Sequence, residues 1–272
     1  MLPSGQGLSA ILKAMSSGRP RIVSLAPSCT SILHHIGAKR FLVAVTRWCR
    51  EVAPVGGLPA LGDCWRNESI EQIRKLRPTL IVGSVPFHPE TVAKILSIPA
   101  QFLALNPRTL ADIYDDIRSL GRLTSRASSA EKLIARMKKE FLGFQRASRP
   151  RHGRPRVYAE AWPRPRISSP AWVAELIELC GGKAGFEPGA RVEDSAIAQA
   201  APDIIVLAWA ATGSRANPRK ALSNRSWQSV PAIRNKRVFV ISDELLNTPG
   251  PPLLDGAKQL AHLISAHAGG LG

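Results

Sequence analysis

Glu68-Ser-Ile-Glu-Gln-Ile-Arg-Lys-Leu-Arg-Pro-Thr-Leu-Ile-Val82 and Asp194-Ser-Ala-Ile-Ala-Gln-Ala-Ala-Pro-Asp-Ile-Ile-Val-Leu207 follow one pattern. Each begins with a short helical segment, of which Glu68–Leu76 is amphipathic. Pro78 or Pro202 then forbids the helix from continuing, because proline lacks an N–H and disfavours helical backbone before it. One polar residue follows, Thr79 or Asp203, and then an aliphatic run short enough to be a buried strand. A helix leading directly into a buried strand, twice in one chain, points to parallel α/β construction.

The surrounding sequence extends both copies. In the first half, strands are expected at Arg21–Ala26, Phe41–Val45 and Leu80–Val82, with a helix over Thr30–Ile36 stopped by Gly37. In the second half, strands are expected at Arg156–Glu160, Ile204–Leu207 and Arg237–Ile241. Helices are expected at Ala171–Cys180, Asp194–Ala200 and Leu253–Ser265. Between the halves, Thr109–Leu120 and Ala127–Phe144 carry apolar residues at helical spacing and no strand signal. A helix of about 20 residues would span about 30 Å. The expected fold is α/β, with two Rossmann-like lobes of parallel sheet bridged by a long helix. Its parts are a tail at 1–18, a lobe at 19–106, linking helices at 107–148 and a second lobe at 149–272.

Composition sets limits on class. The 272 residues are 44% hydrophobic and 21% charged, so the chain can bury a core and is not disordered throughout. The longest mostly apolar stretch, Ala200–Ala211, is interrupted by Pro202 and Asp203 and is too short to span a bilayer. Cys29, Cys49, Cys64 and Cys180 show no CxxC spacing and are expected as unpaired, mostly buried thiols. Met1–Gly18 lacks a basic start and an apolar run, so no secretory signal is read there. As it stands the chain is expected in the cytoplasm, or in the periplasm if its start is truncated. The net charge of +17 favours anionic partners. Its arginines are scattered, however, and the one dense run, Arg149–Arg156, reads as a linker. No helix-turn-helix or aromatic-interleaved basic patch is found, so sequence-specific nucleic-acid binding is not expected.

In open parallel α/β sheets, ligands bind beyond the carboxyl ends of the strands. Pro27 and Ser28 follow the first strand, Trp48 the second, and His88 the third of the first half. Trp162 and Trp209 follow strands of the second half, and Trp65 lies in the loop before the Glu68 helix. Several indoles at one kind of edge suit a large ligand with apolar faces, held by stacking and C–H contacts. An imidazole at position 88 can approach a metal centre as an axial ligand, the alternative being a loop histidine that merely lines the edge. No GxSxG, HExxH, P-loop or GxGxxG motif occurs, and no carboxylate pair stands out as acid and base. Binding without catalysis is the expectation.

Arg21-Ile-Val-Ser-Leu-Ala-Pro-Ser28, Leu61-Gly-Asp-Cys-Trp65, Ser69–Val82 and Ala201-Pro-Asp-Ile-Ile-Val206 together resemble the cobalamin/iron-siderophore class of substrate-binding proteins. Glu160-Ala-Trp162, Trp172–Gly182 and Pro249-Gly-Pro251 are most similar to its cobalamin-binding branch. The resemblance spans about residues 19 to 266. It implies two α/β lobes bridged by one long helix, with a corrinoid captured reversibly in the cleft between them. Trp48, Trp65, Trp162 and Trp209 match the ligand-facing loop aromatics. Members hand their ligand to an ABC permease by docking one acid per lobe. Glu90 matches the first such position, and the corresponding second loop, Thr212–Lys220, has no acid. A monomer that binds cobalamin as ligand, with no catalytic cofactor, is expected. Two other readings keep the fold: a haem- or ferric-siderophore-binding protein, and an intracellular accessory or regulatory protein.

Overall fold

Arg77 and Ala201, the residues before the two prolines, both adopt left-handed backbone, with φ of 45°. Each turn ends a helix and redirects the chain into a strand. The polar residue after each proline then ties that strand to its neighbour. Thr79 Oγ1 accepts from the backbone N–H of Arg21 at 3.0 Å, and Asp203 Oδ2 accepts from that of Arg156 at 2.8 Å. The pattern shared by the two sequence stretches is therefore also a shared way of starting a pair of strands.

The computed structural model describes residues 19–61, 70–148, 153–212, 215–223 and 225–268. The chain divides into two units, one of residues 1–106 and 118–130 and the other of residues 107–117 and 131–272.

The first unit contains β1 (Ile22–Ser24), α1 (Pro27–His35), β2 (Leu42–Thr46), β3 (Ala60–Leu61), α2 (Ile70–Lys75), β4 (Leu80–Ser84), α3 (Pro89–Leu96) and β5 (Gln101–Leu105). Its sheet has the order β3-β2-β1-β4-β5, and every neighbouring pair is parallel. The connections run outward in opposite directions from β1 and β4, which makes that pair the topological switch point. Ile22, Val23, Leu80, Ile81 and Val82 are buried, as in a parallel sheet covered on both faces. Ile70 and Ile73 of α2 join Val23, Leu25, Ala44 and Ile81 in one core.

Helices α4 (Leu110–Leu123) and α5 (Ala127–Ala147) follow, and each contributes residues to both units. The buried stripe of α5 is Ala130, Leu133, Ile134, Met137 and Phe141.

The second unit continues with β6 (Arg156–Pro163), β7 (Arg166–Ser168), α6 (Ala171–Leu179), β8 (Lys183–Ala184), α7 (Asp194–Ala200), β9 (Ile204–Leu207), α8 (Pro218–Leu222), α9 (Pro231–Arg234), β10 (Val238–Val240), α10 (Asp243–Leu246) and α11 (Leu253–Ala268). The sheet order is β10-β9-β6-β7, with β8 also paired to β6. The pairs β10–β9, β9–β6 and β6–β8 are parallel. The hairpin β6–β7 adds one antiparallel strand to the expected parallel arrangement. β6 runs three residues past its expected end because this hairpin extends its pairing. Gly256 lets α11 approach α10, since a Cβ there would collide with the Leu245 carbonyl. Cys29, Cys49 and Cys180 are buried and form no disulfide, as expected, while Cys64 lies outside the described residues.

Candidate functional site at the carboxyl edges

Because the first sheet is wholly parallel, its carboxyl ends share one edge. At the switch point, β1 runs through Ala26, an extended residue that caps α1, into Pro27 at the first helical turn. The Thr30 hydroxyl donates to Ser24 Oγ at 2.8 Å, and Ser24 Oγ donates to the Ala26 carbonyl at 3.1 Å, pinning this turn. Pro27 is half-buried and Ser28 is buried. Beyond β2, Trp48 sits half-buried in a short helical turn with the Arg47 guanidinium 4.7 Å from its ring centroid. The thiol of the next residue, Cys49, lies 3.2 Å from Thr46 Oγ1, and burial pushes that thiol's pKa up.

Beyond β4, Phe87 folds back on the strand and meets Phe102 edge-on at 5.6 Å. Gly83 makes room, since a Cβ there would lie 2.8 Å from the Phe87 ring. This leaves His88 exposed as the extended residue that caps α3, with Glu90 exposed in the first turn of the helix. The first edge thus gathers Pro27, Ser28, Trp48, His88 and Glu90. Trp65 lies outside the described residues.

The second edge is organised around a buried carboxyl group. Glu160, on β6, is fully buried. Tyr158 donates its hydroxyl to Glu160 Oε2 at 2.8 Å, and Trp209, just past β9, donates its indole N–H to Oε1 at 2.6 Å. Arg166 on β7 lies 3.4 Å from Oε2, and its Nε donates to Asp194 Oδ1 at 2.6 Å. The same guanidinium rests 4.5 Å from the centroid of the buried Trp227. Burial raises the Glu160 pKa against the opposing effects of Tyr158, Arg166 and Trp209. Burial and the neighbouring Glu160 keep the Tyr158 phenol protonated, as its donor role requires.

This network corrects the expected placement of Trp209. Only 8% of Trp209 is exposed, and it belongs to the core with Tyr158, Leu207 and Trp227 rather than to an open rim. Trp162 is the opposite case. It is 41% exposed near the end of β6, and its N–H is already satisfied by the Arg164 carbonyl at 2.9 Å, so what it offers to solvent is apolar ring without an unpaired donor. Trp172 is partly buried and bonds the Leu246 carbonyl. The network was not read from sequence, although an acidic residue at the end of the otherwise apolar run Val157-Tyr-Ala-Glu160 is its visible trace. No cluster of three or more metal-ligating side chains occurs among the described residues, so His88 stands as a single donor.

A sequence profile for the family described as periplasmic binding protein matches residues 22–245. The chain belongs to the periplasmic binding protein family. Among its relatives, the vitamin B12-binding protein of Vibrio cholerae is 26% identical over 257 residues, covering 88% of this chain and 87% of that protein. The vitamin B12-binding protein of Pectobacterium carotovorum is 23% identical, covering 90% of this chain and 88% of that protein. The ABC transporter substrate-binding lipoprotein YvrC of Bacillus subtilis is 25% identical, covering 90% and 79%.

Two solved periplasmic binding proteins share the fold. The haem-binding RhuT from Roseiflexus sp. RS-1 has a TM-score of 0.77 at 24% identity, covering 92% of this chain and all of that chain. The vitamin B12-binding BtuF of Vibrio cholerae has a TM-score of 0.73 at 23% identity, covering 92% and 98%. The chain is thus a substrate-binding protein of the class that includes B12- and haem-binding members. These relatives are named as binding proteins, which accords with capture rather than catalysis. Among the described residues no helix is long and apolar enough to cross a membrane.

Proposed function

We propose that this chain captures a corrinoid of the vitamin B12 type and delivers it to an ABC importer. The observation that carries the reading is the exposure of Trp162 at the carboxyl end of β6, with its polar atom already satisfied. An aromatic ring of this kind suits the flat, largely apolar periphery of a corrin and adds no unpaired donor. Trp48, Pro27 and Ser28 supply the first unit's edge, and Trp65 is assigned to the same task. Trp209 acts from behind, holding the loop after β9. Glu90 is the assigned contact to a permease. Burying about 500 Å² of apolar ligand surface is worth roughly 12 kcal/mol gross. Association and ordering costs reduce this to net affinity between micromolar and nanomolar.

The test is titration of the purified chain with cyanocobalamin, followed by tryptophan quenching. Saturable quenching at micromolar concentration or below supports the proposal, and no response at about 100 μM overturns it.

A second reading, haem capture, is favoured by His88. Haem iron takes an axial donor from His, Tyr, Cys or Met. Tyr114, Tyr158, Cys29, Cys49, Cys180 and Met137 are all buried, whereas His88 is exposed at a carboxyl edge. Competition between haemin and cyanocobalamin separates the readings. A haemin Soret shift that is lost in His88→Ala, with no corrinoid binding, replaces the first reading by the second.

A further inference from the structure

We propose that the solvent face of α5 is a docking surface for an anionic lipid bilayer. Lys132, Arg136, Lys139 and Arg146 are all exposed on this helix. At 100° per residue their offsets of 4, 7 and 14 place them within about 80° of one another, as one stripe. The stripe is about 21 Å long at 1.5 Å per residue. Gly143 lies among the charges and Ala135 at their edge, so no bulky neutral side chain stands among them, and the exposed Leu142 flanks the stripe. The acids of the helix, Glu131 and Glu140, fall to either side of it. Lys138 points elsewhere, lying 5.0 Å from the centroid of the Tyr114 ring.

The shape of the array selects the partner. Leu133, Ile134, Met137 and Phe141 bury the opposite face, so the cations are held in a row on an immobile support. A free phosphate or nucleotide needs donors that converge, and these are spread along the helix. A duplex groove takes an inserted helix, which one buried along its length cannot become. Single-stranded nucleic acid is held on aromatic platforms, and the stripe carries none. A protein interface needs aromatic or aliphatic anchors at its centre, and Leu142 alone, at the flank, does not provide them. A planar anionic surface requires only cations at one height, with an aliphatic group able to reach the headgroup layer. The chain's net charge of +17 adds long-range attraction of the same sign.

The experiment is co-sedimentation of the full chain with vesicles of phosphatidylcholine alone and of phosphatidylcholine with phosphatidylglycerol at about three to one, in about 0.1 M salt. Binding to the mixed vesicles only, released by high salt, is expected. Each basic residue near such a surface contributes about fivefold, so Lys132→Gln/Arg136→Gln/Lys139→Gln weakens partitioning at least tenfold. Its thermal melt should match the parent because all three side chains are exposed. Arg146→Gln, a second and independent variant, should lose about fivefold. No binding to the mixed vesicles, equal binding to neutral ones, or unchanged binding by both variants overturns the proposal. So does binding to a labelled DNA duplex without binding to vesicles.

Discussion

The indole N–H of Trp209 donates to Glu160 Oε1 at 2.6 Å, so an aromatic residue at the edge of the second sheet is anchored from inside the core. With the Tyr158 hydroxyl on the other oxygen and Arg166 close by, one buried carboxyl group couples β6, β7 and the loop after β9. Glu160→Ala would strand two buried donors and uncouple Arg166. It is expected to lower stability by about 3–5 kcal/mol. Glu160→Gln keeps an acceptor of the same shape and is expected to cost less, about 1–2 kcal/mol. Urea unfolding of the two variants measures both, and equal stability of Glu160→Ala and the parent would remove the network from the account.

A pH-dependent effect is expected from α4. Burial, together with repulsion by Asp112 and Asp115, pushes the pKa of the half-buried Asp116 from 3.8 to about 7. The folded state therefore holds this proton more tightly than the unfolded state does. The resulting stability is complete below about pH 3.8 and is lost as pH rises through about 7. Asp116→Asn does not titrate. It should match the parent at about pH 4 and exceed it by about 1–2 kcal/mol at about pH 8, after allowing for solvent screening of a partly exposed group. Melting temperatures across that range provide the check, and a gap that shrinks as pH rises has the wrong sign.

The elements that sequence disclosed and those it did not differ in the range of the interactions that make them. The span Asp194–Ala200 is helical as expected, and Ile204–Leu207 is the expected strand, because a proline after a helix and an aliphatic run are local signals. β3, β5 and β8 went unread, since two are two-residue strands and Gln101–Leu105 is half exposed on a sheet edge. β7 exists through pairing with β6. The candidate site divides in the same way. The positions of Trp48 and His88 beyond strand ends were legible, whereas Trp162 lies inside β6, because pairing with β7 carries the strand past its expected end. Which indole faces water was not, because Trp209 is buried by an acceptor 49 residues away.

Thiol reactivity tests how well the core is closed. Burial pushes the Cys180 pKa to about 12 and also raises that of Cys49. Thiolate is the reactive form, so Cys49 and Cys180 should resist a disulfide reagent at about pH 8 and react only in denaturant, and Cys29 should do the same because its fully buried side chain is out of reach of the reagent. Peptide mass mapping after timed labelling identifies each site. Rapid labelling of any of the three in the native protein would contradict the packing described.

Trp162 and Trp209 make the sharpest contrast, because the same substitution should affect different properties. Trp209→Ala removes a core ring and strands a carboxylate oxygen of Glu160, so a loss of about 3–5 kcal/mol in stability is expected. Trp162→Ala removes an exposed ring whose one hydrogen bond is local, and a change within about 1 kcal/mol is expected. If the ring of Trp162 meets the ligand, that variant should weaken cyanocobalamin binding at least tenfold, the scale of a buried aromatic contact. Paired thermal melts and ligand titrations give both readouts. Intact affinity in Trp162→Ala would move the ligand away from this edge even though the fold remained as described.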